Sequence, residues 1–349
     1  MMNPVSIEHG SGVASILANN PPVNSLSETV RNGLVAAVDA ASISDAEAIM
    51  IACEGRTFFS GADISELDQP LKGADLLQFE AACARAGQPI LAALHGHVYG
   101  GGVVIAYCAD MRVAAPGTRF AMPEIRLGLL ATFGGTQILP RLIGIEAATK
   151  LLVGATSIDA DEAVTIGLID AIVAQSDFHA FAKSMLKRSP GKRRARKLGW
   201  SVHDQQNGAA LIQAALDRHT LENPEWQAPL ATLSAMKIGF EQGIEKGLSE
   251  EARLFEQLKT SRQSAVLRRL FFAERALSKD PPEPSAIAAL QDAAGPRFDI
   301  NKEQAQRSAI QALGWAAFGS PDRADAAVVT ALNWPIWKAD IFLHEPGFL

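Results

Sequence analysis

HGHVYGGGVVIAYCADMRVAAPGTRFAMPEIRLG, residues 95–128, is the stretch on which the reading of this chain turns. Gly100, Gly101 and Gly102 form a triplet without Cβ atoms, so the backbone can pass close to a ligand. The apolar run from Val103 to Cys108 predicts a buried helix. Its first turn would leave backbone N–H groups free and carry partial positive charge. That suits an oxygen that becomes negative during a reaction. A tight turn alone also accounts for three glycines. Further on, Glu124 stands between Pro123 and Ile125 as a single acid in an apolar setting. A glutamate so close to Arg126 also reads as a salt-bridged surface carboxylate.

Working outward, Arg56-Thr57-Phe58-Phe59-Ser60-Gly61-Ala62-Asp63-Ile64-Ser65-Glu66-Leu67 follows the strand-like Ala48 to Cys53. Small residues again sit just past a strand. The chain carries ANNPPVNSLS (18–27), SGADISEL (60–67), the glycine triplet, FAMPEIRLG (120–128) and GGTQILPRLIG (134–144), in that order. With this series it resembles the crotonase superfamily, the enoyl-CoA hydratase/isomerase enzymes. The series covers residues 5–170 and is specific as a set. Glu250 to Lys279 is similar to the helical end of the hydratase half of peroxisomal-type multifunctional β-oxidation enzymes. In those proteins a dehydrogenase domain follows, opening on a strand and a GxGxxG loop. No GxGxxG occurs after residue 280. The expectation is a hydratase/isomerase half that stands alone, with residues 303–349 faintly resembling the terminal helical piece of such dehydrogenases.

The resemblance implies roles for particular residues. Ala62 and Gly101 match the two backbone N–H donors of the family's oxyanion hole, which grip the thioester carbonyl of an acyl-CoA. Gly61, Gly100, Gly102, Val104 and Thr132 are expected to line the substrate site. Family hydratases use two glutamates. One is matched by Glu124, but the other position holds Val104, which carries no proton. The Pro-Gly that helps those enzymes position water is replaced by Ala131-Thr132, followed by Phe133-Gly134-Gly135.

Hydration needs one group to deprotonate water and a proton for Cα, work that two carboxylates divide. Moving a proton between two carbons needs only one carboxylate, acting first as base and then as acid. Glu124 with Val104 therefore resembles the family's monofunctional Δ3,Δ2-enoyl-CoA isomerases, and isomerisation is the leading expectation. A single-glutamate hydratase, an acyl-CoA hydrolase or lyase, and a non-catalytic CoA-binding relative are the alternatives. Coenzyme A enters as part of the substrate, and no separate cofactor or metal is expected. Fold alone does not choose among these.

The chain has 349 residues and is 48% apolar, enough for one large domain and a helical appendage. A net charge of −6 argues against general nucleic-acid binding. Cys53, Cys83 and Cys108 lie in apolar or helical contexts and read as reduced core residues of a cytoplasmic protein. Met1 to Ile7 lacks a signal-peptide pattern, and no apolar run reaches membrane-spanning length. Assembly is left open between a monomer and the trimer common in the superfamily.

The expected fold class is α/β: a crotonase-like ββα spiral core followed by a helical C-terminal region. Strands are predicted near Val5–Ile7, Val13–Leu17, Ala48–Ala52, Pro89–Leu94 and Met111–Ala114. Helices are predicted from a Ser27 cap through Ala40, over Asp75 to Ala86, and from a start near Ser157 to Ala163 with acids in its first turn. The expected divisions are 1–190 for the core, 191–279 for the helical region, and 280–349 for an extension that packs on it. The basic run Lys192 to Lys197 reads as a solvated face. His95 and His97 read as strand-end residues near the pocket, Tyr99 as pocket lining, and Asp63 as a turn cap.

Overall fold

The computed structural model describes residues 3–188, 197–222, 224, 226–265, 267, 268 and 271. The break at 190, residues 192–196 of the basic run, the break at 279 and the whole extension 280–349 lie outside the described residues. The described residues fall in two compact units. The first lies within Met1–Ile125 and Leu129–Glu256, the second within Arg126–Gly128 and Gln257–Leu349.

Six strands form the main sheet of the first unit: β1 (Val5–Gly10), β2 (Val13–Ala18), β3 (Ala48–Cys53), β4 (Ile90–Leu94), β6 (Met111–Ala114) and β9 (Ala171–Ile172), in that order. Only the β1–β2 pair is antiparallel, as a short hairpin requires. The rest are parallel, so each return passes over a face and covers it. All six residues of β3 are buried, consistent with cover on both faces. Ile49, Ile51 and Cys53 pack in the larger core, whereas Met50 and Ala52 alternate to the other side. There they meet Phe178 and Ala182 of helix α7 (Phe178–Arg188).

A second sheet takes up the strands that follow. β5 (His97–Tyr99), β7 (Arg119–Ala121) and β8 (Ile158–Asp159) pair in that order. The path therefore repeats. β4 lies in one sheet and β5 in the other, then comes helix α3 (Gly101–Cys108). Next β6 and β7 divide in the same way, and helix α4 (Gly135–Ile143) follows. An earlier turn runs from β3 through Ala62, which bridges Leu26, to helix α2 (Leu76–Arg85). Each turn thus brings a loop and a helix start to the same side of the unit. This is the expected α/β spiral, and helices α8 (Val202–Glu222), α9 (Gln227–Gln242) and α10 (Ile244–Lys259) form the helical C-terminal region.

Helix starts differ in detail from expectation. Asp75 caps α2 with a capping box to Gln78, as its sequence suggests. Helix α1 (Glu28–Ser42) has Ser27 at the cap position, but the serine side chain makes no capping bond. The Glu66 carboxylate takes the Glu28 N–H instead, at 2.8 Å. Helix α6 (Ala160–Thr165) starts later than expected, because Ile158–Asp159 pairs as β8 and Asp159 is the cap. No helix among the described residues is long and apolar enough to cross a membrane.

Candidate active site

Two loops meet beside β5. The Tyr99 N–H donates to the Phe59 carbonyl at 3.1 Å, and Gly100 N–H donates to Ala121 O at 2.9 Å. Contact is so close that a Cβ on Gly102 would fall 2.1 Å from Phe59 O. No side chain fits there, which explains the third glycine of the triplet. A Cβ on Gly101 would lie 3.7 Å from the Ala62 nitrogen, so the two amides are neighbours. Neither N–H has a protein acceptor among the described residues. Gly101 is the first residue of α3, where helical geometry leaves an N–H without an internal partner. Ala62 is solvent-exposed and Gly101 partly so, which gives an oxygen access to both.

Glu124 enters the same space from the 3-10 turn Glu124–Leu127 that follows β7. A Cβ on Gly100 would sit 2.6 Å from Glu124 Oε1, and Gly100 has φ +52°. The glycine therefore serves both the backbone conformation and the room for the carboxyl. Glu124 is half-buried as a whole residue, yet its Oε2 is closed off from solvent and lacks a hydrogen-bond partner. Desolvation pushes the carboxyl up to about pKa 7, partly offset by its own backbone N–H. This overturns the reading of Glu124 as a solvated surface ion pair.

Val104 lies one turn into α3 and is buried at 2% exposure. Thr132, half-buried, begins the turn before α4. Phe133 and Gly134 then have φ of +58° and +92°. Two buried groups hold that turn. The Tyr107 hydroxyl donates to Phe133 O at 2.8 Å. Glu251 of α10 accepts from Gly134 N (2.8 Å), Thr136 N (2.9 Å) and Thr136 Oγ1 (2.6 Å). It thereby caps α4 from another helix.

Sequence reading missed Tyr107, Glu251 and Arg31. A signal exists for two of them. Arg31 falls in the buried stripe with Leu34 and Val38, and Glu251 in that with Leu254 and Leu258. A charge at such a position must find partners. Asp63 Oδ1 accepts from Ser65 N and Oγ, as a turn cap. His95 is buried with its ring on Gly55 O, and His97 is exposed on β5. Tyr99 is half-buried, with its ring centroid 5.0 Å from that of His97. Cys53, Cys83 and Cys108 are free. A separate cavity of about 670 Å³ opens beside Lys150, Asp204 and His219, away from Glu124 and both amides.

Comparison with known proteins gives a consistent picture. A family model described as enoyl-CoA hydratase/isomerase matches residues 8–228. The peroxisomal fatty acid beta-oxidation multifunctional protein AIM1 of Arabidopsis thaliana is 33% identical over 297 residues, covering 79% of this chain and 40% of its own length. The peroxisomal bifunctional enzyme of Danio rerio is 33% identical over 270 residues, covering 76% of this chain and 37% of its own. The chain thus spans about two fifths of the length of these curated relatives. Among solved structures, an enoyl-CoA hydratase/isomerase from Pseudoalteromonas atlantica T6c superimposes with a TM-score of 0.57 at 18% identity, covering 78% of this chain and 97% of its own. An enoyl-CoA hydratase from Mycobacterium avium subsp. paratuberculosis K-10 gives 0.55 at 21% identity, covering 78% and 96%. At these identities the two structures speak for the fold.

Proposed function

Because this chain belongs to the enoyl-CoA hydratase/isomerase family, we propose that it shifts a double bond in an acyl-CoA through a thioester enolate, with Glu124 as the single acid/base. The observation that carries this reading is the pairing of a buried carboxyl at Glu124 with buried Val104 where a second acid would stand. In this reading the substrate's thioester oxygen sits between Ala62 N–H and Gly101 N–H. Gly61, Gly100 and Gly102 keep the two loops close enough for both donors to reach it. Thr132 and Val104 border the acyl chain.

The Glu124 carboxylate removes a proton from C2 of a 3-enoyl-CoA. The electron pair delocalises onto the thioester oxygen, where two preorganised donors stabilise it. One such donor is worth roughly 10²–10³ in rate. Neutral Glu124 then returns the proton to C4, giving the 2-enoyl-CoA with no atom gained or lost. A carboxyl with pKa near 7 suits both halves, since it gains and loses a proton at little cost near neutral pH. The name of the Arabidopsis thaliana relative places that protein in fatty acid beta-oxidation, and we extend that setting to this chain as part of the proposal.

The test is to incubate the full chain separately with 3-hexenoyl-CoA and 2-hexenoyl-CoA and identify the products by mass and chromatography. Isomers of unchanged mass support the proposal. A product heavier by one water from 2-hexenoyl-CoA, formed faster than isomer, moves the assignment to a single-glutamate hydratase. Glu124→Gln is expected to abolish turnover while acyl-CoA affinity stays within a few-fold. A loss of activity smaller than about tenfold would place the chemistry on another group.

A further inference from the structure

The guanidinium of Arg31 joins three segments around the two amides. Arg31 lies on α1 at 6% exposure. Its Nη1 donates to Leu26 O at 2.6 Å and to Glu66 Oε2 at 2.8 Å. Its Nε reaches Ala74 O at 2.7 Å and Nη2 reaches Lys72 O at 2.9 Å, just before α2. Leu26 in turn touches both candidate donors. Its N–H donates to Gly61 O at 2.9 Å and it bridges Ala62, while its Cδ1 lies 2.7 Å from where a Gly101 Cβ would be. Glu66, held by Arg31, also takes the N–H that begins α1.

We propose that Arg31 is a positioning residue that sets the Ala62 and Gly101 N–H groups at the spacing the thioester oxygen needs. It acts through Leu26 and the Glu66 turn and does not touch substrate. The inference rests on the enolate-stabilising reading above. A planar fork with five donors can hold three backbone carbonyls and a carboxylate at once, which a lysine ammonium cannot match. The consequence should therefore fall on oxyanion stabilisation, where a displacement of about 1 Å can cost 10²-fold, and not on CoA binding.

The experiment uses the full chain carrying Arg31→Lys. One probe is hexa-2,4-dienoyl-CoA, whose absorption moves to longer wavelength when its carbonyl is polarised. The other is free CoA, which lacks that carbonyl. The expected result is a kcat on 3-hexenoyl-CoA lower by about 10–10²-fold, with KM and the Kd for free CoA nearly unchanged and a smaller red shift of the bound dienoyl-CoA. A folded Arg31→Lys protein with wild-type kcat and wild-type red shift overturns the proposal and leaves the proposed function standing. If the wild type isomerises neither substrate, the proposed function fails, and the red shift alone decides for or against Arg31. A wild type that binds the dienoyl-CoA with no red shift overturns both. Should Arg31→Lys fail to fold, Glu66→Gln carries the test, with the same pattern expected in smaller degree. An unchanged red shift there also overturns the proposal.

Discussion

At the scale of single residues, burial decides the chemistry of Glu124. Its pKa lies near 7 in the folded chain, above the ordinary 4.5, because desolvation disfavours the charged form. The base form therefore grows as pH rises, and kcat/KM for 3-hexenoyl-CoA is expected to climb through a midpoint near 7. A flat profile between about pH 5 and 8 would assign the base to another group. The same shift bears on stability. A raised folded pKa gives stability that is fully present below the unfolded value and lost as pH rises through the folded value. Glu124→Gln should then melt higher than the wild type at about pH 8, with the gap closing at about pH 4. Val104 gives the complementary test. Val104→Glu is expected to raise hydration of 2-hexenoyl-CoA while lowering the melting temperature, because an acid enters a site with 2% exposure. A wild type that already hydrates at about 10³ s⁻¹ would remove the basis for that expectation.

Elements are positioned here largely by buried polar groups that reach across sequence. The start of α4 contains Gly134 and Gly135, neither of which can cap it with a side chain, and the acceptor comes from Glu251 more than a hundred residues later. Around that contact, Gln137 Nε2 bonds Thr136 Oγ1 and Ala235 O. Arg141 bonds Gly239 O and covers the Trp200 ring at 4.0 Å. Helices α4, α9 and α10 are thus tied by bonds with little access to water. Glu251→Leu deprives Gly134 N, Thr136 N and Thr136 Oγ1 of their acceptor, at about 1–3 kcal/mol for each buried group. Urea unfolding should report a loss of roughly 3 kcal/mol or more, together with lower activity through the Thr132 turn. A loss below about 1 kcal/mol would show that the cap is replaced by water.

Across the whole first unit, the parallel sheet depends on its far edge as well as its centre. β9 contributes only two residues, and its register on β6 is reinforced from the preceding loop. Arg112 of β6, 2% exposed, donates to Leu168 O (2.8 Å), Ala109 O (3.0 Å) and Asp170 Oδ2 (3.2 Å). Asp170 accepts the Arg112 N–H as well, at 2.8 Å. Arg112→Met keeps the length of the side chain but leaves two carbonyls without their donor. It is expected to cost about 3–5 kcal/mol in urea unfolding, the range for breaking a buried pair. A cost near zero would mean that apolar packing replaces the pair, as happens in some proteins.

Strands near Ala48–Ala52 and Pro89–Leu94 are legible in the sequence, and the structure has them as β3 and β4, buried along their whole length because the parallel sheet is covered on both faces. The ordered motifs carried the resemblance that implied the spiral, and the close loops it brings together use residues without Cβ. The resemblance also marks Val104 as standing where family hydratases carry a second acid. Three things needed the folded chain. Glu124 owes its raised pKa to burial, which only the folded chain supplies. Ser27 lost its capping role to Glu66, which lies 38 residues from the Glu28 N–H that it takes. Arg31 and Glu251 showed in sequence only as charges on apolar stripes, with no indication of which backbone groups would satisfy them. Local spacing fixes which face of an element is buried, whereas the partner of a buried charge is fixed by which loops the tertiary path brings against it.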